Sequence, residues 1–180
     1  MAAASNILDE IIADTRSPYP LVNSLGMMEL GRLGPSPRAV AVFIEALHAR
    51  RNPGAAALEL GQFGEAARPA LPALVRYLDD DEAGPNAIIA VGRIGDPDRS
   101  AVAELRRIVA APGSRHRGLA ASALGELEAA EAVADIASAL EDDRTHTRIL
   151  AARALGDIGP RAADAVPALA ALLEDDDDQV

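Results

Sequence analysis

The segment RILAARALGDIG, Arg148 to Gly159, decides the fold because its ending recurs along the chain. Variants of Leu-Gly-x-Ile-Gly stand at Leu30 to Gly34 (LGRLG), Leu60 to Gly64 (LGQFG), Val91 to Gly95 (VGRIG), Leu124 to Glu128 (LGELE) and Leu155 to Gly159 (LGDIG). The first glycines, Gly31, Gly61, Gly92, Gly125 and Gly156, advance by 30, 31, 33 and 31 residues. A period in that range marks a chain built by stacking one supersecondary unit, so function is expected on surfaces rather than in a single pocket. Ala151, Leu155 and Ile158 fall on one side of a helix, and Ala56, Leu60 and Phe63, then Ala87, Val91 and Ile94, then Ala120, Leu124 and Leu127 repeat the pattern. The first glycine lets the backbone of the next layer approach, and the last can take the left-handed conformation that closes a helix.

A second helix is expected in each unit. PALPALVRYLDDD (Pro69 to Asp81) and AVPALAALLEDDDD (Ala165 to Asp178) are the clearest copies, each with a proline in the first turn, where a missing N–H costs nothing. Weaker copies are Arg38 to Arg50, Ser100 to Pro112 and Ala132 to Asp143. Residues near 5 to 15 and Pro20 to Leu33 supply the first pair. The acidic runs Asp79 to Asp81 and Glu141 to Asp143 are expected to end outer helices and cap the inner helices that follow. They lack the ligand pattern of a calcium loop. The expected fold is an all-α solenoid, a right-handed superhelix of stacked antiparallel helix pairs in one domain, 1–180. Its repeats run approximately over 5–34, 37–64, 68–95, 99–128 and 132–159, with a half repeat at 163–180. The fourth copy ends on Glu128 where the others have glycine, so its inner helix is expected to end differently or run on.

The chain of 180 residues has no cysteine and is 49% hydrophobic, enough to bury a long core without disulfides or structural zinc. No apolar run approaches the roughly 20 residues that span a bilayer, and a secretory signal is not apparent, so a cytoplasmic location is expected. With 28 acidic and 17 basic residues the net charge is −11, which disfavours nucleic acid and anionic membranes as partners. All the basic residues are arginine; a GC-rich codon bias or avoidance of lysine-directed modification would each account for that. Neither a GxSxG elbow, a P-loop, HExxH nor a cysteine nucleophile is present, and no catalytic, cofactor-binding or metal-ligating residue is assigned. His116 in SRHRG and His146 in RTHTR are expected to be exposed in turns between helices.

The segment Arg148 to Val180 closely resembles the short HEAT-like repeat of phycobilisome lyases and many bacterial scaffold proteins, and the similarity covers nearly the whole chain. The resemblance implies a solenoid and leaves function open. Three enzyme-like branches of that family can be checked. Deoxyhypusine hydroxylases hold iron with His-Glu pairs, whereas His48, His116 and His146 are followed by Ala49, Arg117 and Thr147. DNA glycosylases of this type use aromatic and basic residues in a groove, and this chain has no Trp and is acidic. Bilin lyases enclose a tetrapyrrole with aromatic residues, and here the aromatics are Tyr19, Phe43, Phe63 and Tyr77, all in the N-terminal half.

In such solenoids the inner helices form a concave face. Three residues before each first glycine stand Met28, Leu58, Ile89, Ser122 and Arg153, and one residue after it stand Arg32, Gln62, Arg93, Glu126 and Asp157. The two rows are four apart and share one helix face. The first three repeats are apolar beside polar or basic residues; the last two are polar and acidic. Glu29 and Glu59, where later repeats have Ala90, Ala123 and Ala154, mark the first two inner helices as a specialised patch. The expected function is a non-catalytic scaffold or adaptor that binds a protein or peptide on this face. The alternatives are a bilin-lyase-like or cofactor-protein maturation subunit and an acidic, immunity-type inhibitor of a basic partner. The last residues, DDDDQV, look like the opening of a further repeat, so the C-terminal end is expected either to continue or to meet a partner or a second copy.

Overall fold

Helices in alternating outer and inner positions make up the chain. The computed structural model describes residues 2–172, with side chains from 7 to 172, and contains no strand among them. The remainder of the expected last helix and the acidic run that follows it lie outside the described residues. The chain divides into two compact units, Met1–Ile94 and Gly95–Val180. In the first, outer helices α1 (Ala2–Thr15), α3 (Pro37–His48) and α5 (Leu71–Val75) pair with inner helices α2 (Pro20–Arg32), α4 (Pro53–Gln62) and α6 (Gly84–Ile94). In the second, α7 (Ser100–Ala110), α9 (Val133–Ser138) and α11 (Val166–Ala171) are outer and α8 (Arg117–Glu126) and α10 (Thr145–Ile158) inner. The helix-pair solenoid is therefore the architecture, and none of the described helices is long and apolar enough to cross a membrane.

Local chemistry starts and stops these helices. Pro20, Pro37 and Pro53 open α2, α3 and α4, where no intrahelical partner for an N–H exists. The Ser36 hydroxyl accepts a hydrogen bond from the Ala39 N–H at 3.1 Å and caps α3. Asp96 caps α7, its carboxylate accepting from the N–H groups of Ser100, Ala101 and Val102. Asp80 accepts from the N–H groups of Glu82 and Ala83 just ahead of α6, as the acidic run implied. The outer helix α5 is shorter than the expected Pro69 to Asp81. Gly64–Ala70 and Gly159–Ala165 are 3₁₀ turns that lead into α5 and α11. Pro69 and Pro72, and Pro160 and Pro167, withhold N–H donors there, so the α-helical ladder starts late.

The terminal glycines behave as expected, with positive φ at Gly34, Gly64, Gly95 and Gly159. Glu128 does the same with φ 48, so α8 neither runs on nor ends differently. The Ala129 N–H donates to the Leu124 carbonyl and the Glu128 N–H to that of Gly125, a Schellman closure built on a residue that pays about 1 kcal/mol for its left-handed backbone.

His116 corrects an expectation. It is buried, with 4% of its surface exposed, because the turn before α8 is drawn inward by its neighbour Arg117. That guanidinium donates to the carbonyls of Val109 and Ser138 and to the Asp142 carboxylate at 2.9 Å. His146 is exposed.

Candidate functional site

At Gly31, Gly61 and Gly125 the recurring first glycine is a notch. A methyl group added at Gly61 would lie 3.0 Å from the Cα of Ala90, and one at Gly125 would lie 2.6 Å from that of Ala154. In both cases the filling residue stands two positions before the first glycine of the following inner helix. Alanine suits the notch because a larger group would push the backbones apart. At Gly31 the occupant is Glu59, whose Oε2 would lie 1.9 Å from an added methyl.

Glu59 therefore does not face solvent as a docking residue. It is 8% exposed, wedged between α4 and α2, and burial pushes its carboxyl above the ordinary range. Glu29, at the same repeat position on α2, is exposed. It lines an open cleft of about 470 Å³ together with Ile7, Glu10, Ile11 and Asp14 of α1 and with Arg32. The two glutamates thus occupy different environments, and their shared repeat position does not make one patch.

The two rows flanking the glycines fall on the exposed side of their helices. In the first unit Met28 and Leu58 are 48% and 42% exposed, Ile89 is half-buried, and Arg32, Gln62 and Arg93 are exposed. Their helices are neighbours, α2 against α4 and α4 against α6. Cross-links fix the register: Asn52 donates to the Ser24 hydroxyl at 2.9 Å and Asn86 to the Gly54 carbonyl at 3.0 Å. The apolar strip extends further than the sequence rows did. Leu21 and Leu25, 73% and 48% exposed, precede Met28 at helical spacing on the same face of α2. The signal was available as Leu21, Leu25, Met28 and Arg32, but a frame anchored on one helical turn around the glycine passes over it.

In the second unit Ser122 is half-buried, while Glu126, Arg153 and Asp157 are exposed. An apolar strip comparable to that on α2 is not found among these inner helices; Leu119, Ile149 and Leu150 are half-buried.

Electrostatics separates the surfaces again. Most described arginines are engaged: Arg16 and Arg51 with Glu45, Arg106 with Asp135, Arg107 with Glu104, Arg161 with Glu128. Among the described residues, the side chains of Arg32, Arg76, Arg93 and Arg153 have no such partner. Three of these four stand on the rows, which leaves them open to a ligand. The most demanding pairing lies elsewhere, where Arg117 and Asp142 are 6% and 3% exposed. Hydrogen bonds from Arg144, and against the cost of burial those from Arg117, hold the Asp142 carboxyl well below the usual carboxylate range.

Among the described residues no group of three or more His, Cys, Asp or Glu is placed to hold a metal ion. Phe43, Phe63 and Tyr77 are buried, Phe43 packing its ring on Phe63 at 5.7 Å and the Tyr77 hydroxyl donating to the Leu47 carbonyl. Only Tyr19 of the aromatics is exposed, so they do not line a tetrapyrrole cavity.

Comparison with known proteins agrees with the geometry. Residues 102–180 match a family model for HEAT repeats. No curated protein matches the chain. The crystal structure of an engineered protein is similar over 94% of this chain and 90% of its own, with a TM-score of 0.72 and 19% sequence identity, which is a likeness of fold.

Proposed function

We propose that this chain, a HEAT-like repeat protein, is a protein-interaction scaffold that binds a partner protein or peptide on the inner helices of its first unit and carries out no catalysis of its own. One observation carries the reading: exposed Met28 and Leu58 stand with half-buried Ile89 beside Arg32 and Arg93, whose guanidiniums have no ion-pair partner among the described residues, on neighbouring stacked helices. Large apolar side chains in a contiguous exposed group mark an interaction surface, and binding energy concentrates on such anchors. Gln62 adds a polar contact within this face, and the row residues of the second unit, Ser122, Glu126, Arg153 and Asp157, are no part of it. Glu29 belongs to the cleft beside α1, and Glu59 supports the face from beneath by setting the contact between α2 and α4.

The test compares proteins recovered from native-host extract on the wild-type chain and on a Met28→Asp, Leu58→Asp, Ile89→Asp variant. A specific partner retained by the wild type and lost from the variant supports the face. A partner held equally by both removes it.

A further inference from the structure

The same face sorts partners by charge, and we propose that it receives an acidic amphipathic helix, whose apolar stripe lies along Leu21, Leu25, Met28 and Leu58 and whose carboxylates meet Arg32 and Arg93. The proposal rests on the scaffold reading and adds to it the chemistry of the occupant.

Shape argues for a helix. Leu21, Leu25, Met28 and Arg32 are four, three and four residues apart, so they form one line along α2. At about 1.5 Å rise per residue this line is roughly 16 Å long, the length of a three-turn helix. Across the helices the apolar surface fades sooner, since Leu58 is 42% exposed and Ile89 half-buried. A partner helix with apolar residues at i, i+4 and i+7 matches the longer direction.

Charge argues for acid. The chain carries 28 carboxylate residues and 17 arginines, so a guanidinium in it has anions in excess to pair with. Among the described residues Arg32 and Arg93 nevertheless have no ion-pair partner. The inner helices of this unit contain only two acidic residues: Glu29 lines the cleft beside α1, and Glu59 is buried on Gly31. Arg32 stands at the cleft that Glu10, Asp14 and Glu29 also line, whereas around Arg93 the inner helices α4 and α6 offer no exposed carboxylate, so the strip beyond the cleft shows a cation without an anion in a protein whose net charge is −11. This local inversion opposes the choice of a basic partner that the overall charge suggests. Flanking arginines steer and select, while the leucines and methionine hold.

The experiment uses the full chain and three synthetic peptides of ~18 residues, long enough for several helical turns. One has leucines at helical spacing and glutamates elsewhere, the second has lysines for the glutamates, and the third has serines for the leucines of the first. Fluorescence anisotropy is expected to show the acidic amphipathic peptide bound at least about tenfold more tightly than either other. Its circular dichroism is expected to gain helix on binding. The Arg32→Glu, Arg93→Glu variant, both positions being exposed, is expected to fold and to reverse the preference toward the lysine peptide. Equal binding of acidic and basic peptides, an unchanged preference in the arginine variant, or absence of binding by the acidic peptide overturns the proposal, and binding without helix gain overturns the helical occupant. If Met28→Asp, Leu58→Asp still abolishes binding while charge makes no difference, the scaffold face stands and only its charge selectivity falls. Peptide binding left intact by that apolar variant removes the face itself.

Discussion

The two units are made from one repeat, yet each buries a carboxylate that the other lacks a match for. In the first, Glu59 fills a notch against Gly31 where alanine fills the equivalent notch at Gly61, and burial raises its pKa. In the second, Asp142 is buried among Arg117 and Arg144, which lower its pKa. The exposed inner surfaces differ as well, apolar beside Arg32 and Arg93 in the first unit, polar in the second, where Arg153 stands with Glu126 and Asp157. A repeat thus fixes where side chains point and leaves their chemistry free, so specialisation shows as departures from the repeat.

The largest effect is expected at the ion pair. Asp142→Ala leaves the Arg117 guanidinium buried without its carboxylate, and should destabilise the second unit by about 3–5 kcal/mol. Chemical denaturation with hydrogen exchange read separately in α8 and α10 checks this; a loss confined to a few tenths would show that the pair is not a keystone. The notch comes next. Gly125→Ala forces a methyl to within 2.6 Å of the Ala154 backbone and should cost about 1–3 kcal/mol. Gly156→Ala meets nothing within 4 Å among the described residues and should stabilise α10 by about 0.5–1 kcal/mol. Equal melting temperatures for the two variants would refute the notch.

Glu59 predicts a gain. Glu59→Ala reproduces the Ala90-on-Gly61 contact and removes a buried carboxylate, so at neutral pH it should stabilise the first unit by about 1 kcal/mol. Because the folded-state pKa is raised, the wild type is penalised only as the carboxyl ionises. The advantage of the variant should therefore shrink as pH falls through that raised value toward the ordinary 4.5 and vanish below it. Asp142 responds in the opposite sense. Its pKa is depressed, so its contribution is complete above its ordinary 3.8 and is lost as pH falls further. Acidification should thus relieve the first unit before it weakens the second, a sequence that hydrogen exchange at α4 and α10 between pH 7 and 3 would expose or contradict. The smallest effect is at the closure of α8: Glu128→Gly should stabilise by about 0.5–1 kcal/mol, since its exposed pairing with Arg161 is worth little against the relief of a left-handed backbone.

Much of this architecture was legible in the sequence. The period of the first glycines carries the helix pairs, and the alternation of small and large apolar residues carries the packed side of each inner helix. The rows beside the glycines fall on the exposed side because helical geometry leaves them no other place. What escaped depends on contacts across repeats. Glu59 reads as a surface residue until the Gly31 notch is seen to take it in, and His116 reads as a turn residue until Arg117 draws the turn inward. Leu21 and Leu25 were missed because they lie beyond the recurring motif, and their exposure follows from the chain's own first helix pair rather than from the repeat.

The central claim, that the first unit's inner face holds the partner, is tested most directly by photo-crosslinking in the native host from a benzophenone side chain placed at Leu58 or, in a parallel strain, at Glu126. The account predicts a discrete crosslinked protein from position 58 and none from position 126. Crosslinking from 126 alone would place the partner on the second unit and contradict it.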